Sequence, residues 1–195
     1  MKKILIISDT GKKVGLGHYS KSKIITKEIK QYFKRYSVKN LYFSEQIKDQ
    51  FVNQKTLNTY FEIISEIKSH MPEILILNNS LLFQKKYGLK LINEVKKNFK
   101  KTKMISVDGY LNLYKHFQAL WIPNIMIPKK YHNINKIYYG WDKLILDKKK
   151  NLKKKLNKKI LLISHGGSDT YRLTKKLPNI LYKTKYHVNW IIGPY

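Results

Sequence analysis

Lys3-Ile-Leu-Ile-Ile-Ser-Asp-Thr-Gly-Lys-Lys-Val-Gly-Leu-Gly-His18 is the stretch that decides the fold. Ile4 to Ile7 form an uninterrupted apolar, mostly β-branched run ended by Ser8-Asp9-Thr10-Gly11, the pattern of a strand buried on both faces of a parallel sheet. A glycine-containing loop follows. From Tyr19 to Tyr36 the apolar residues Ile24, Ile25, Ile29, Tyr32 and Phe33 then recur at helical spacing. A strand, a glycine loop and a helix together open a βαβ unit.

Working outward, the same alternation continues. Val38 to Phe43 reads as a second strand, and Leu57 to His70 as a helix with Leu57, Tyr60, Phe61, Ile64 and Ile67 on one face, stopped by Pro72. Glu73 to Leu77 is a buried strand, Gln84 to Phe99 an amphipathic helix, and Met104 to Val107 a strand ending at Asp108-Gly109. Short strands at Leu120 to Ile122 and Lys136 to Tyr139 follow. After a Lys-rich stretch the pattern restarts with a strand at Lys159 to Ser164, a Gly166-Gly167 turn, a helix at Arg172 to Lys183 and a strand at His187 to Ile192. The fold class is therefore α/β. Residues 1–147 read as a Rossmann-like, doubly wound parallel sheet, 148–158 as an exposed linker helix, and 159–195 as the incomplete start of a second Rossmann-like domain. Ligands of such sheets sit outside the C-terminal strand ends.

Composition narrows the function. The 195 residues carry 40 Lys plus Arg against 12 Asp plus Glu, a formal net charge of +28. That field attracts polyanions, but the excess is spread over every segment and only Lys148 to Lys159 is dense. Diffuse charge of this kind reads as solvated faces, so no specific nucleic-acid partner is expected, and a membrane would be met only by peripheral association. A basic nucleic-acid-binding protein is the rival from another class. The absence of Cys excludes disulfides and thiolate zinc sites, and the six His show no metal-ligand spacing, so neither a metal nor a cofactor is expected. The N-terminal apolar run is too short for a signal peptide and no stretch reaches the ~18 residues of a spanning helix, which points to the cytoplasm.

Two loops can carry chemistry. Gly15 and Gly17 let backbone approach a ligand closely, and His18 stands at the start of the first helix, where the dipole favours the uncharged imidazole of a general base. The loop lacks the third glycine of a dinucleotide fingerprint and the Lys-Ser/Thr ending of a P-loop. In the second loop, Gly166, Gly167, Ser168 and Asp169 follow a strand and precede a helix. Backbone N–H groups there can cradle a diphosphate, or the glycines can simply make the turn with Asp169 as its N-cap.

Asp9, Gly15, Gly17 and His18 at these spacings, Pro72-Glu-Ile-Leu-Ile, Asp108, Gly140 and Gly166-Gly-Ser-Asp169 occur here in one order. In that order the chain resembles the UDP-sugar hydrolase of pseudaminic acid biosynthesis and its spore-coat-polysaccharide relatives, which have the two-Rossmann-domain GT-B architecture. The resemblance implies a cytoplasmic enzyme of surface-polysaccharide synthesis that releases UDP from an activated amino or deoxy sugar. By it His18 activates water, Asp9, Gly15, Gly17, Lys21, Asn78 and Asp108 hold the sugar, and Gly166 to Asp169 face the diphosphate. The departures are Lys21 for an Arg, Asn78 for an Asp, Gly109 for the second Asp of a pair, and Thr170 for a Pro. A nucleotide-sugar-dependent glycosyltransferase is the alternative within the same chemistry. An inactive, truncated homologue is the other, since the chain stops before the elements that hold uridine in the family; weak or absent turnover of this form is expected.

Overall fold

The computed structural model describes residues 1–11, 13–45, 56–145, 160–164, 172–182 and 184–191. The apolar run becomes strand β1 (Lys2–Asp9), buried from Ile4 onward. Next come helix α1 (Gly17–Tyr32), β2 (Tyr36–Phe43), the two-residue β3 (Thr56–Leu57) and helix α2 (Tyr60–His70). β4 (Ile74–Asn78) leads into α3 (Leu81–Phe83), a π turn (Gln84–Gly88) and α4 (Leu89–Asn98). β5 (Lys103–Val107), β6 (Ala119–Ile122) and β7 (Ile137–Tyr139) complete a seven-stranded sheet ordered β3-β2-β1-β4-β5-β6-β7. Every pairing in it is parallel, giving a Rossmann-like α/β fold.

Strand periodicity divides the core between two faces. Leu5 and Ile7 of β1 join Leu41, Phe43, Leu75 and Leu77 on the face covered by α2 and α4, which supply Ile63, Ile67, Leu91, Ile92 and Val95. Ile4 and Ile6 join Ile76 and Val107 on the opposite face, covered by Ile25 of α1. Leu5, Ile6, Ile7, Leu75 and Leu77 are all 0% exposed. Burying each such side chain contributes about 1.5–3 kcal/mol, which is why the uninterrupted apolar run dictates a central strand.

Several expectations about boundaries and faces are corrected. Leu57 lies in an edge strand and not in α2, because Thr59 caps the helix: its hydroxyl accepts from the Glu62 N–H at 3.2 Å and the Glu62 carboxylate accepts from the Thr59 N–H at 2.8 Å. Of the expected face Ile67 is buried and Tyr60 and Ile64 are partly so, but Phe61 is 79% exposed and Ile63 completes the buried stripe. α1 ends at Tyr32, so Tyr32 and Phe33 are exposed and do not pack beneath it. The helix expected over 84–99 starts earlier, at the Ser80 cap, and carries the π turn.

After the Lys-rich stretch, β8 (Ile160–Ser164) pairs in parallel with β9 (His187–Ile191), as a βαβ unit requires. The single helix expected between them is two short pieces, α5 (Leu173–Lys176) and α6 (Pro178–Leu181). Pro178 has no N–H to continue the ladder and so splits them. The linker 148–158 lies outside the described residues.

Candidate functional site at the switch point

From β1 the chain turns to one side, through β2 and β3, then crosses to β4 on the other side of β1. The helix after β1 covers one face of the sheet and the helices after β4 cover the other. The connections at the C-terminal ends of these two neighbours therefore diverge, which is where doubly wound sheets take their ligands. His18, Asp9 and Asn78 all stand at this place.

Asn78 is the last residue of β4, and its side chain points with Ile76 toward α1. There its Nδ2 donates to the His18 carbonyl at 2.8 Å, to Ser22 Oγ at 2.8 Å and more distantly to Ser8 Oγ at 3.4 Å. The Ser8 and Ser22 hydroxyls also bond to each other. A carbonyl can only accept, so the amide nitrogen must face the His18 backbone and Oδ1 must face the ring. His18 Nδ1 lies 2.9 Å from that Oδ1. An amide oxygen also only accepts, hence Nδ1 carries the hydrogen and, in the uncharged ring, the lone pair sits on Nε2. Ser8, Ser22 and Asn78 are fully buried, so this polar set holds the ring from behind without solvent.

One turn further along α1, the Lys21 ammonium is paired with the Asp108 carboxylate, both partly exposed. Asp108 directly follows β5 in a left-handed conformation, φ 60°, and Tyr110 is left-handed too at φ 61°. Lys21 is thus locally neutralised by Asp108.

Asp9 is placed differently. It follows Leu5 and Ile7 to the other face, where its carboxylate accepts from the Ser80 N–H at 2.7 Å and from the Ser80 hydroxyl. Beside it the Tyr110 hydroxyl donates to Asn79 Oδ1 at 3.2 Å. Burial, and secondarily the Asp9 charge, pushes that phenol far above the ordinary tyrosine range, so it stays a donor. Gln84 ties this side together: its Nε2 donates to the Asn79 carbonyl at 2.6 Å and its Oε1 accepts from the Tyr110 N–H at 2.9 Å. Asp9 also lines a cleft of about 600 Å³ reached from this face, with Phe43, Phe83 and Tyr87 among its walls; His18 does not line it.

The expected sugar-binding residues are therefore parted by the sheet. His18, Lys21, Asn78 and Asp108 belong to the α1 side, and Asp9 to the other. The glycines also have separate reasons. Gly15, at φ 77°, closes a tight turn in which its N–H and that of Val14 both donate to the Gly11 carbonyl. Its conformation is used by the turn itself. At Gly17 a Cβ would meet nothing within 4 Å, so the space above the first residue of α1 is open. Gly109 is required by packing: a Cβ there would lie 2.0 Å from Gln84 Nε2, which leaves no room for an Asp while Gln84 stays in place. Gly166, Gly167, Ser168 and Asp169 lie outside the described residues.

Residue-type reasoning misses Ser8, Ser22, Asn79, Ser80, Gln84 and Tyr110. Ser22 was the most readable, four residues after His18 and so on the same helix face. Among the described residues no group of three His, Asp or Glu side chains could hold a metal ion, and no helix is long and apolar enough to cross a membrane. No protein-family model matches the chain, and no curated protein matches it in sequence.

Proposed function

We propose that residues 1–147 form the sugar-side domain of a GT-B-like nucleotide-sugar enzyme, a UDP-sugar hydrolase in type, whose second Rossmann-like domain begins at 159–195. The observation that carries this reading is the His18–Asn78 hydrogen bond at the switch point. It directs an imidazole lone pair away from the buried serines, at the end of the sheet where doubly wound folds bind ligands. In the proposed reaction His18 Nε2 takes a proton from water as the water oxygen bonds to the anomeric carbon. The bond from that carbon to the diphosphate oxygen breaks, and UDP leaves with the electron pair. The second water proton stays on the new sugar hydroxyl, so atoms and charge balance.

Support from the second loop is a matter of sequence: Gly166 to Asp169 between β8 and the helical pieces would place backbone donors at the diphosphate. The Lys21–Asp108 pair orients more than it attracts, since its charges cancel, and the field of a chain with net charge +28 draws the anion in.

The experiment is an assay for UDP released from UDP-N-acetylhexosamines, with and without candidate acceptors, for the chain and for His18→Gln. Acceptor-independent release, weak in this form, that falls by about 10²–10⁴ or below detection in His18→Gln agrees with the proposal, and no release from the unaltered chain favours the inactive homologue instead. Release unaffected by His18→Gln contradicts it, and release only with an acceptor replaces hydrolysis by glycosyl transfer.

A further inference from the structure

The cleft on the face opposite His18 is graded in polarity from its inner wall to its rim. Inside is Asp9, 3% exposed, at the end of β1. Its carboxylate offers about four lone-pair directions, and among the described residues Ser80 occupies two of them. The middle of the cleft is apolar. Phe43 and Phe83 meet edge to face at 5.3 Å between centroids, and Phe43 meets Tyr87 at 5.6 Å, so three rings make one rigid wall. The rim is cationic. Lys86 is held by Glu45 at 2.6 Å, but no described carboxylate touches Lys13 or Lys85, both of which line the opening.

The π turn makes this arrangement. By widening one turn it sends Lys85, Lys86 and Tyr87 toward the same opening as Leu82 and Phe83. The tight Gly11–Gly15 turn supplies the facing wall with Val14. A volume near 600 Å³ suits a ligand the size of a mononucleotide or a sugar phosphate.

From this gradient we infer that the cleft is a second binding site, for a phosphorylated sugar compound. Asp9 accepts its hydroxyls, the Phe43–Phe83–Tyr87 wall packs its apolar face, and Lys13 and Lys85 meet its phosphate. The phosphate can belong to a nucleotide or to a simple sugar ester, because the recognised chemistry is the same. This site does not depend on the hydrolase reading, since His18 lies across the sheet from it.

The test is calorimetric titration of the whole chain at physiological ionic strength, where diffuse charge is screened, with UMP, glucose 1-phosphate, uridine and inorganic phosphate. We expect saturable binding of one equivalent of UMP or of glucose 1-phosphate, whichever source fits. Uridine and inorganic phosphate should bind at least about tenfold more weakly, each lacking one half of the match. Lys13→Glu/Lys85→Glu, two exposed changes that leave the core untouched, should weaken binding by about tenfold or more, and Asp9→Asn by a similar factor. His18→Gln should leave the affinity unchanged while removing UDP release, so the two sites are read separately. Failure of both UMP and glucose 1-phosphate to saturate a site overturns the inference. So does binding that the double charge reversal leaves unaltered, and that result stands even where Asp9→Asn melts early.

Discussion

Gly109→Ala should destabilise the fold through one identifiable side chain. Gly109 is not among the glycines with positive φ, so alanine fits its backbone and no conformational penalty is expected. The obstacle is Gln84, whose Nε2, Cδ and Oε1 would stand 2.0, 2.7 and 2.9 Å from the new Cβ. The end of a glutamine can swing away, but here it is engaged. Its amide bonds the Asn79 carbonyl and the Tyr110 N–H, and both of those residues are buried. Leaving two buried backbone groups unpaired costs about 1–3 kcal/mol each, so a loss of roughly 2–6 kcal/mol follows. For a domain of this size that lowers the melting temperature by on the order of 10 °C. Gln84→Ala loses the same two bonds without any clash and should cost about as much. The double variant should therefore cost little more than either single one, with a coupling of about 2 kcal/mol or more in a urea-denaturation cycle. Additive losses would refute the reasoning, because Gly109 and Gln84 would then not be acting through one shared contact.

Thr59→Ala removes the capping box of α2 and should cost about 1 kcal/mol in the same denaturation assay, with Thr59→Ser recovering most of it. Asn78→Leu strips the His18 carbonyl of its donor and the ring of its acceptor, so it should lower stability by about 1–3 kcal/mol and abolish UDP release along with it. Burial, and then the nearby Tyr19, pushes the Tyr42 phenol up to about 12 from an ordinary value of 10.0. Its contribution to stability is thus fully present below pH 10 and is lost as pH rises toward 12. The Tyr42 hydroxyl has no hydrogen-bond partner among the described residues, so Tyr42→Phe should be neutral or stabilising near pH 7 and should flatten the alkaline decline in melting temperature.

The sheet was readable because a parallel strand buried on both faces must be apolar without alternation, and Ile4 to Ile7 and Leu75 to Leu77 are. The start of α2 was readable too. Thr59 and Glu62 have the spacing of a capping box, and that signal should outrank the apolar period that drew Leu57 into the helix. The π turn left no such trace, since no residue type in Gln84–Gly88 distinguishes it from an ordinary helical turn. At the site, Lys21, Asn78 and Asp108 entered the reading only through the family resemblance, and the structure places all three on the α1 side with His18. Strand parity was the part not used: Ser8 shares a face with Ile4 and Ile6, and Asp9 with Leu5 and Ile7, so the Asp9 side chain lines a cleft that His18 does not. The second glycine loop falls outside the described residues, and its part in the function rests on sequence alone.

Nitrogen-resolved NMR of the His18 ring tests the central geometry most directly, with its signals assigned by their loss in His18→Gln. In the uncharged ring the hydrogen should reside on Nδ1, bonded to Asn78, and Nε2 should carry the lone pair. A ring protonated at Nε2, with Nδ1 bare, would leave no base facing away from the buried serines and would contradict the account.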